Sequence, residues 1–495
     1  MGSGILQLAS YGRQDMLFTK MPTITYFKKV YKRHTNYASE SIPQLFNITP
    51  DFGQRVTCTI SDIGDLLTSI YLNINLPPVG KFVDINNENG DGNSKIACCA
   101  WSNNIGYKII RKIEMEINDK VIERHTYDWF NIYNEVYNFM GHKEGLDKMI
   151  GNVPELTDLT CTKQGYQLSV PLIFWFNRHP NLAYPLIASY NSDVKINVEF
   201  NTLENCLVIG PTHYVTISEE ICLFERGDII YQNVNNLVHY FKFIYHDVSN
   251  KRLYYIKITT EEMLSTNSIY LSTNDSIYVT PILKEKLYFN KKKYFPQTIN
   301  LALGETYLLV DYIFLDTKEK KMFVKNKLSY VINILQYDNP RVIYHAHTKI
   351  KINYTLPCTQ LLFNCGYDYI HEGWLKEAFN YTNDIYGKDE IIDKLILYMN
   401  GQERFSEREM KHFNYLQPYT YHNHPPPIGV GTYSFATEVH NIQPSGYCNF
   451  SKMSDIELRL TINKNVSYNR PVKFKIYAMV LDIMEFENGI CTLKF

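Results

Sequence analysis

The sequence predicts an all-β protein of the sandwich or barrel class. Short runs of alternating apolar and polar residues recur along the 495 residues, and clusters of Gly, Pro and Asn separate them. No strand–helix alternation of the kind that builds a parallel sheet interrupts them. The length suits two domains or one large one. Hydrophobic residues make up 45% of the chain and charged residues 20%, the balance of a packed protein and not of a disordered one. A net charge of −1 provides no overall field toward nucleic acid or an anionic membrane, so genome contact would need a local basic patch. Tyr (40) and Phe (26) are abundant, and both favour strands and large interfaces.

Residues 1–40 read as an arm, loosened by Gly2, Gly4 and Gly12. Phe27, Val30 and Tyr31 sit at helical spacing there, beside the basic run Lys28, Lys29, Lys32, Arg33 and His34. The first strands follow at Val56–Ile60 and Ile70–Leu76, the latter ended by Pro77-Pro78. Asn87–Asn93 is a polar, Gly-containing loop. Ile109–Ile117 alternates, and Asn118-Asp119 turns it into Val121-Ile122. A helix then shows Trp129, Ile132, Tyr133, Val136, Tyr137 and Met140 on one face, with Thr126 to cap it and Gly141 to end it. Strands are expected at Leu168–Phe176, Val194–Phe200 and Tyr307–Asp316. Between the last two, residues 201–304 carry alternating runs such as Tyr254–Ile258 and Ile277–Val279, which predicts a folded β insertion. A second domain starts near Lys325, with strands at Ser329–Leu335, Lys349–Tyr354, Leu361–Phe363 and Lys473–Val480. No sequence repeat links the two halves.

The most informative stretch lies in that second half. Ile391–Tyr398 reads as a strand, and Asn400-Gly401 as a tight turn, because both residues tolerate positive φ. Ser406 and Glu409 have capping-box spacing, and Phe405 and Met410 could staple the same helix start. The expected helix buries Met410, Phe413 and Leu416 and stops at Pro418. On that reading Ser406→Ala costs about 0.5–2 kcal/mol.

Asn400–Glu409 and Phe413–Tyr419, followed by Tyr433–Ala436 and Gln443–Ser451, resemble the major capsid protein of nucleocytoplasmic large DNA viruses. Leu6–Gly12, Tyr31–Ala38, Trp101–Gly106, Phe174–Pro180 and Leu182–Ile187 are similar to further segments of that family. The resemblance covers most of 1–200 and 305–495. It implies two tandem jelly-roll β-sandwiches with a few short helices: an N-terminal arm (1–40), a first jelly roll (41–324, with insertion 201–304) and a second (325–495). It also implies a homotrimer with a pseudo-hexagonal outline, many of which pave an icosahedral capsid over an internal membrane. Implied partners are neighbouring capsomers, minor capsid proteins and that membrane, reached through the arm, with no direct nucleic-acid binding. Two of the roll's loops, 78–98 and 141–167, are placed between its fourth and fifth and its sixth and seventh strands. They then share one end with the insertion, the end the resemblance turns outward.

Residues for chemistry are few. There is no Gly-rich phosphate loop before a helix and no Gly-x-Ser-x-Gly elbow. His345/His347 and His422/His424 could each offer two metal ligands, but a carboxylate and a third His at strand spacing do not accompany them. Glu403, Glu407 and Glu409 stand among Arg404 and Arg408, which points to salt bridging. His179 reads as a turn residue. The ten cysteines lack zinc-site spacing and read as reduced, buried thiols of a protein made in the host cytoplasm. Six Asn-x-Ser/Thr sites (Asn47, Asn274, Asn353, Asn380, Asn449, Asn465) read as unused without a secretory signal. Met1-Gly2 has Leu6 where a myristoylation motif wants Ser or Thr. No apolar stretch approaches ~18 residues. The expectation is therefore no catalytic, cofactor or metal residues: a capsid protein found in the virion, or alternatively a double jelly-roll scaffold or minor capsid paralogue acting in virion assembly. A jelly-roll enzyme or lectin is the reading from another class.

Overall fold

A computed structural model of the chain describes residues 3–29, 31–79, 98–137, 140–160, 162–210, 213–219, 222–225, 227–234, 237–248, 251–258, 263, 267–283, 301–367, 379–382, 389–463, 466, 468 and 471–495. The loop expected at Asn87–Asn93 lies outside them.

Besides the short strand Cys98–Trp101, which lies outside the two sheets of the roll, seven described strands come before the insertion: β1 (Tyr37–Gln44), β2 (Arg55–Thr59), β3 (Leu66–Leu76), β4 (Ile110–Ile117), β5 (Lys120–Thr126), β6 (Tyr166–Pro171) and β7 (Val194–Phe200). The insertion contributes β8 (His213–Ile217), β9 (Ile229–Val234), β10 (Leu237–Asp247), β11 (Arg252–Lys257), β12 (Ile269–Leu271), β13 (Asn274–Val279) and β14 (Pro281–Leu283). β15 (Thr306–Leu315) then returns to the first group. These strands make two four-stranded antiparallel sheets, ordered β1-β15-β3-β6 and β2-β7-β4-β5, packed face to face. Alternation sets the inward faces. Ile70, Leu72 and Ile74 of β3 and Ile196 and Val198 of β7 are buried, as the period of two requires.

The second half repeats the plan. β16 (Leu328–Tyr337), β17 (His347–Lys351), β18 (Pro357–Tyr367), β19 (Ile392–Met399), β20 (Gln402–Glu403), β21 (Val430–Ser434), β22 (Ile456–Ile462) and β23 (Val472–Glu487) follow in order. Their sheets run β16-β23-β18-β21 and β17-β22-β19-β20. Strand for strand, this is the order of the first roll. The duplication is thus present in topology and invisible in sequence, because a jelly roll constrains alternation and turn positions but few identities. One continuous core runs through both rolls.

Topology also fixes the two ends of the first roll. Loops 78–98 and 141–167 lie between its third and fourth and its fifth and sixth strands, one place earlier than the sequence count. Bridges Val79↔Lys163 and Cys99↔Thr160 hold the described ends of the first against the second, and Cys98–Trp101 pairs with Leu207–Gly210 at the start of the insertion. At the opposite end Tyr37 pairs with Leu315, and the Lys320 ammonium lies 2.8 Å from the Asp65 carboxylate. The arm therefore leaves the roll from the end opposite the insertion.

Several local expectations are corrected. Phe27 and Tyr31 are exposed, and among the described residues the arm's helices are Ser3–Ala9 and Asp15–Thr19, with none around Phe27 and Tyr31. The first long helix ends at Tyr137, with Gly141 in a separate 3₁₀ turn. The strand expected to reach Phe176 stops at Pro171, and Trp175–Asn177 form a 3₁₀ turn. Ser406 caps nothing and is exposed, because Arg408-Glu409 first pair with Lys394-Leu395 as a short strand. The helical segment that follows contains a π turn, His412–Leu416, in which the Gln417 amide donates to the His412 carbonyl five residues back. That extra residue rotates the helix face: Phe413 and Asn414, then Gln417 and Pro418, are buried, while Leu416 faces solvent. Pro418 therefore sits inside the helix Gln417–Tyr421 and does not end it. Asp316 does cap a helix, Thr317–Lys325, its Oδ1 accepting from the amides of Lys318 and Glu319 at 2.9 Å each. The Asp-x-x-Glu spacing of Asp316 and Glu319 is the local sequence signal for this cap.

Candidate assembly site

The residues that could make this chain a building unit fall into a seam joining the rolls, an aromatic cluster inside the second roll, and surfaces left open to partners.

The seam is built on Glu123, in the middle of β5, whose carboxylate is fully buried. Its Oε1 accepts from Arg178 Nη2 at 2.8 Å and from the Leu335 amide of β16 at 3.2 Å; its Oε2 accepts from the Trp175 amide at 3.1 Å. The Arg178 fork continues outward, Nη1 donating to the Asn333 carbonyl at 2.6 Å and Nε to the Ile173 carbonyl at 2.9 Å. One guanidinium thus ties three segments, two in the first roll and one in the second. Burial pushes the Glu123 carboxyl up, but Arg178 and the other partners outweigh it and hold it below the usual range. Burial holds His125 below its ordinary value despite Glu123 beside it. Its Nε2 lies 3.0 Å from Glu123 Oε1, off the line a hydrogen bond needs, so the pair is one of proximity. At this point the seam therefore carries the buried Arg178–Glu123 ion pair beside a neutral imidazole packed on Phe174, centroids 4.9 Å apart. Further along, Lys475 of β23 pairs with buried Asp128, and Tyr137 Oη donates to Gln360 Oε1 at 2.5 Å. Trp129 packs on Tyr477 at 5.3 Å and Tyr184 on Phe486 at 5.3 Å. Polar fixing points and aromatic packing together lock the angle between rolls.

The second cluster gathers the motif segments. Phe405 lies 5.4 Å from Phe413 and 5.0 Å from Tyr433; Tyr433 reaches Phe435 at 5.1 Å, and Phe435 reaches Phe450 at 5.8 Å. Three stretches distant in sequence so form one aromatic chain, anchored on Phe363 of β18. Their role is packing. The turn expected at Asn400-Gly401 is present, with φ of 49° and 79°, and Asn400 Oδ1 accepts from the amides of Ser454 and Asp455.

The histidines singled out by sequence separate. His345 precedes β17 and His347 opens it. His422 lies 2.5 Å from the Gln360 amide nitrogen and 3.2 Å from His440, and burial holds its pKa down to about 3. Among the described residues no group of three or more His, Cys, Asp or Glu side chains is placed to hold a metal. His179 caps a 3₁₀ turn through the Asn181 amide. Glu407 pairs with Lys394 at 3.1 Å, and Arg404 and Arg408 make no short ion pair with Glu403 or Glu409 among the described residues. Of the described cysteines with side chains in view, Cys222 and Cys448 are only partly buried, against the expectation of uniformly buried thiols. Arg178 lies in the family-like segment Phe174–Pro180, yet its clamp role has no local signal, since Glu123 and Asn333 lie far off in sequence.

The open surfaces complete the picture. Residues 4–29 and 31–36 are exposed throughout, including Leu8, Leu17, Phe18 and Phe27. The insertion is a seven-stranded sheet, ordered β13-β12-β9-β10-β11-β8-β14, with its own core of Val215, Ile230, Phe241, Phe243 and Leu253. On its other face Ile244 and Ile256 pack on Leu159 of the first roll and on Val208 at the insertion's own start, and farther out Tyr240, Tyr231, Tyr270 and Tyr278 stand opposite one another across four strands.

Residues 25–247 match the family described as major capsid protein N-terminus, and residues 319–492 match that described as large eukaryotic DNA virus major capsid protein. The first match runs on into the insertion, which the sequence reading had left outside the family, and leaves Leu6–Gly12 outside the matched residues. The chain is 37% identical to probable capsid protein 4 of Acanthamoeba polyphaga mimivirus, covering 100% of this chain and 99% of that one. It is 27% identical to the major capsid protein of Phaeocystis pouchetii virus, with 100% of each covered. In fold it is similar to the Faustovirus major capsid protein, with TM-score 0.67, 12% identity, and 96% and 94% of the two chains covered. PBCV-1 VP54 gives TM-score 0.65 at 22% identity, with 95% and 100% covered.

Proposed function

Because the chain belongs to the major capsid protein family of large eukaryotic DNA viruses, we propose that three copies close into one tile whose six jelly rolls give it a pseudo-hexagonal outline. The protein is a structural component of the virion, and its fold is a double jelly roll. Many tiles then pave an icosahedral shell. The observation that carries this reading is the repeat of one strand order in two rolls around a single core. Such a subunit offers two nearly equivalent wedges at a fixed angle, and closed cyclic symmetry is the usual way to satisfy side faces of this kind. We divide the chain into an arm (1–40), a first roll (41–324, insertion 201–304) and a second roll (325–495). We assign it no catalysis, no cofactor and no nucleic-acid contact, with synthesis in the host cytoplasm.

The insertion end faces outward in this reading, and the arm end faces inward, toward minor capsid proteins and the internal membrane. Exposed apolar residues interleaved with Lys28, Lys29, Lys32 and Arg33 suit an arm that orders only on contact. An antibody to residues 230–300 is expected to label intact virions, and protease is expected to clip residues 1–30 in free capsomers but not in virions. Labelling only after disruption would reverse the orientation. Deleting Thr202–Ala302 is expected to leave trimers intact, since the insertion has its own core. Whether the outward-facing insertion is a passive decoration or serves attachment, glycan display or an outer layer is read from the infectivity of that deletion.

A second reading has one observation in its favour. Mimivirus proteins named probable capsid protein 4 and capsid protein 1 match this chain at 37% and 28% identity, so related capsid chains coexist in one virus. This chain would then be a minor capsid paralogue or an assembly scaffold. Copy number by mass spectrometry of purified virions separates the two: thousands of copies for the main tile, few or none for the other.

A further inference from the structure

Cys358 and Cys448 stand directly opposite each other where the start of β18 pairs with Cys448-Asn449. Directly opposed residues of an antiparallel pair send their side chains to the same face, with Cα atoms about 4.5–5.5 Å apart. A disulfide needs roughly 4.4–6.8 Å. Both sulfurs are free thiols. Among the described residues no other ladder opposes two cysteines: Cys58 faces Ile196, Cys99 faces Ile209, Cys365 faces Phe474 and Cys491 faces Phe486. The backbone on both sides of the pair is pinned. The Phe435 amide donates to the Thr359 carbonyl at 2.9 Å, and the Phe450 amide donates to the Leu356 carbonyl at 3.2 Å. Joining the sulfurs therefore asks for side-chain rotation and little backbone movement.

The two thiols differ in access. Cys358 is fully buried and donates to the Gln360 carbonyl at 3.3 Å. Cys448 is partly exposed; burial raises its pKa, and the guanidinium of Arg404 draws it back toward thiolate. We propose that Cys358 and Cys448 form a redox staple, dithiol while the chain folds and disulfide once the assembled particle meets an oxidised low-molecular-weight thiol. The Cys448 thiolate attacks the small disulfide, forming a mixed disulfide and releasing one small thiol. Cys358, whose thiol burial pushes up, gives its proton to the departing small thiolate as its sulfur attacks Cys448 Sγ, forming the protein disulfide and releasing the second small thiol. Two protein thiols are oxidised and one small disulfide is reduced to two thiols. The bond fastens the loop 435–455 to β18. Glu438, His440 and Ser445 of that loop wall a cleft of about 350 Å³ along the seam, beside Arg178 and Asn333. The staple thus hardens the seam after assembly by limiting the unfolded chain.

The test uses the full-length protein at neutral pH with glutathione disulfide, followed by alkylation without reductant and peptide mass spectrometry. The expected product is one linked peptide pair holding residues 358 and 448, lighter by two hydrogens, and the same pair is expected in virions released from cells. The unfolding midpoint of the oxidised protein is expected to rise by several degrees. The rise is absent in Cys448→Ser and in Cys448→Ala, the second variant guarding against a folding defect in the first. Alkylation of both thiols after oxidation, a stable glutathione adduct on Cys448 without the link, or a bond to any other cysteine would overturn the proposal.

Discussion

Replacing Arg178 with Ala is expected to destabilise the protein by about 3–5 kcal/mol, because it leaves Glu123 buried without its counter-charge. The side chain is only 13% exposed and the Glu123 side chain is fully buried, so solvent does little to soften the loss. The Asn333 carbonyl also loses a donor across the seam. Arg178→Lys restores the charge but not the three-way fork, and is expected to recover part of the loss. Denaturant unfolding of purified protein measures both, and a change below about 1 kcal/mol for Arg178→Ala would contradict the seam's assigned role. The same site sets a pH dependence. The folded His125 value is depressed, so below about pH 6.5 the unfolded ring gains a proton that the folded one refuses, and stability falls. His422 and His440, also held down by burial, act in the same direction. The folded Glu123 value is depressed too. Its contribution is complete above about pH 4.3 and is lost as pH falls through the folded value. The thermal midpoint is therefore expected to drop between pH 7 and 5 and more steeply below about 4. A midpoint that rises on acidification from 7 to 5 would contradict these assignments.

Phe413→Ala is expected to cost about 3–5 kcal/mol, the range for emptying a fully buried aromatic site. Phe413 touches Phe363, Phe405 and the His412 ring at 5.7, 5.4 and 5.0 Å, so the cavity opens where the motif segments meet. Ser406→Ala, by contrast, is expected to change stability by less than about 0.5 kcal/mol, because Ser406 is exposed and caps no helix. The contrast separates the two accounts of this stretch. A large loss at Ser406 with a small one at Phe413 would restore the capping box and remove the aromatic chain. The measurement is again the denaturation midpoint, read on purified protein.

What was legible in the sequence follows from what each signal depends on. Strands with one wet face were readable because alternation is local: Val194–Phe200 and Ile392–Met399 were located to within a residue. Tight turns at Asn118-Asp119 and Asn400-Gly401 were readable because positive φ restricts residue choice, and both pairs have it. The helix after Arg408 was misread because capping-box spacing cannot show that a strand pairing competes for the same residues. Nor can a fixed 3.6 period show the π turn that moves Leu416 out. The arm's apolar spacing at 27–31 mimicked a helix that lacks any surface to pack on. The Arg178 clamp and the repeated strand order were out of reach of local reading, since both depend on contacts between residues far apart in the chain.

The central claim is that this chain is one third of a capsid tile. Light scattering on the purified full-length protein at micromolar concentration tests it most directly. The account predicts a single species of three times the 58.0 kDa chain mass, with threefold, hexagonally outlined particles when the same sample is imaged. A stable monomer that forms no such particles would contradict it.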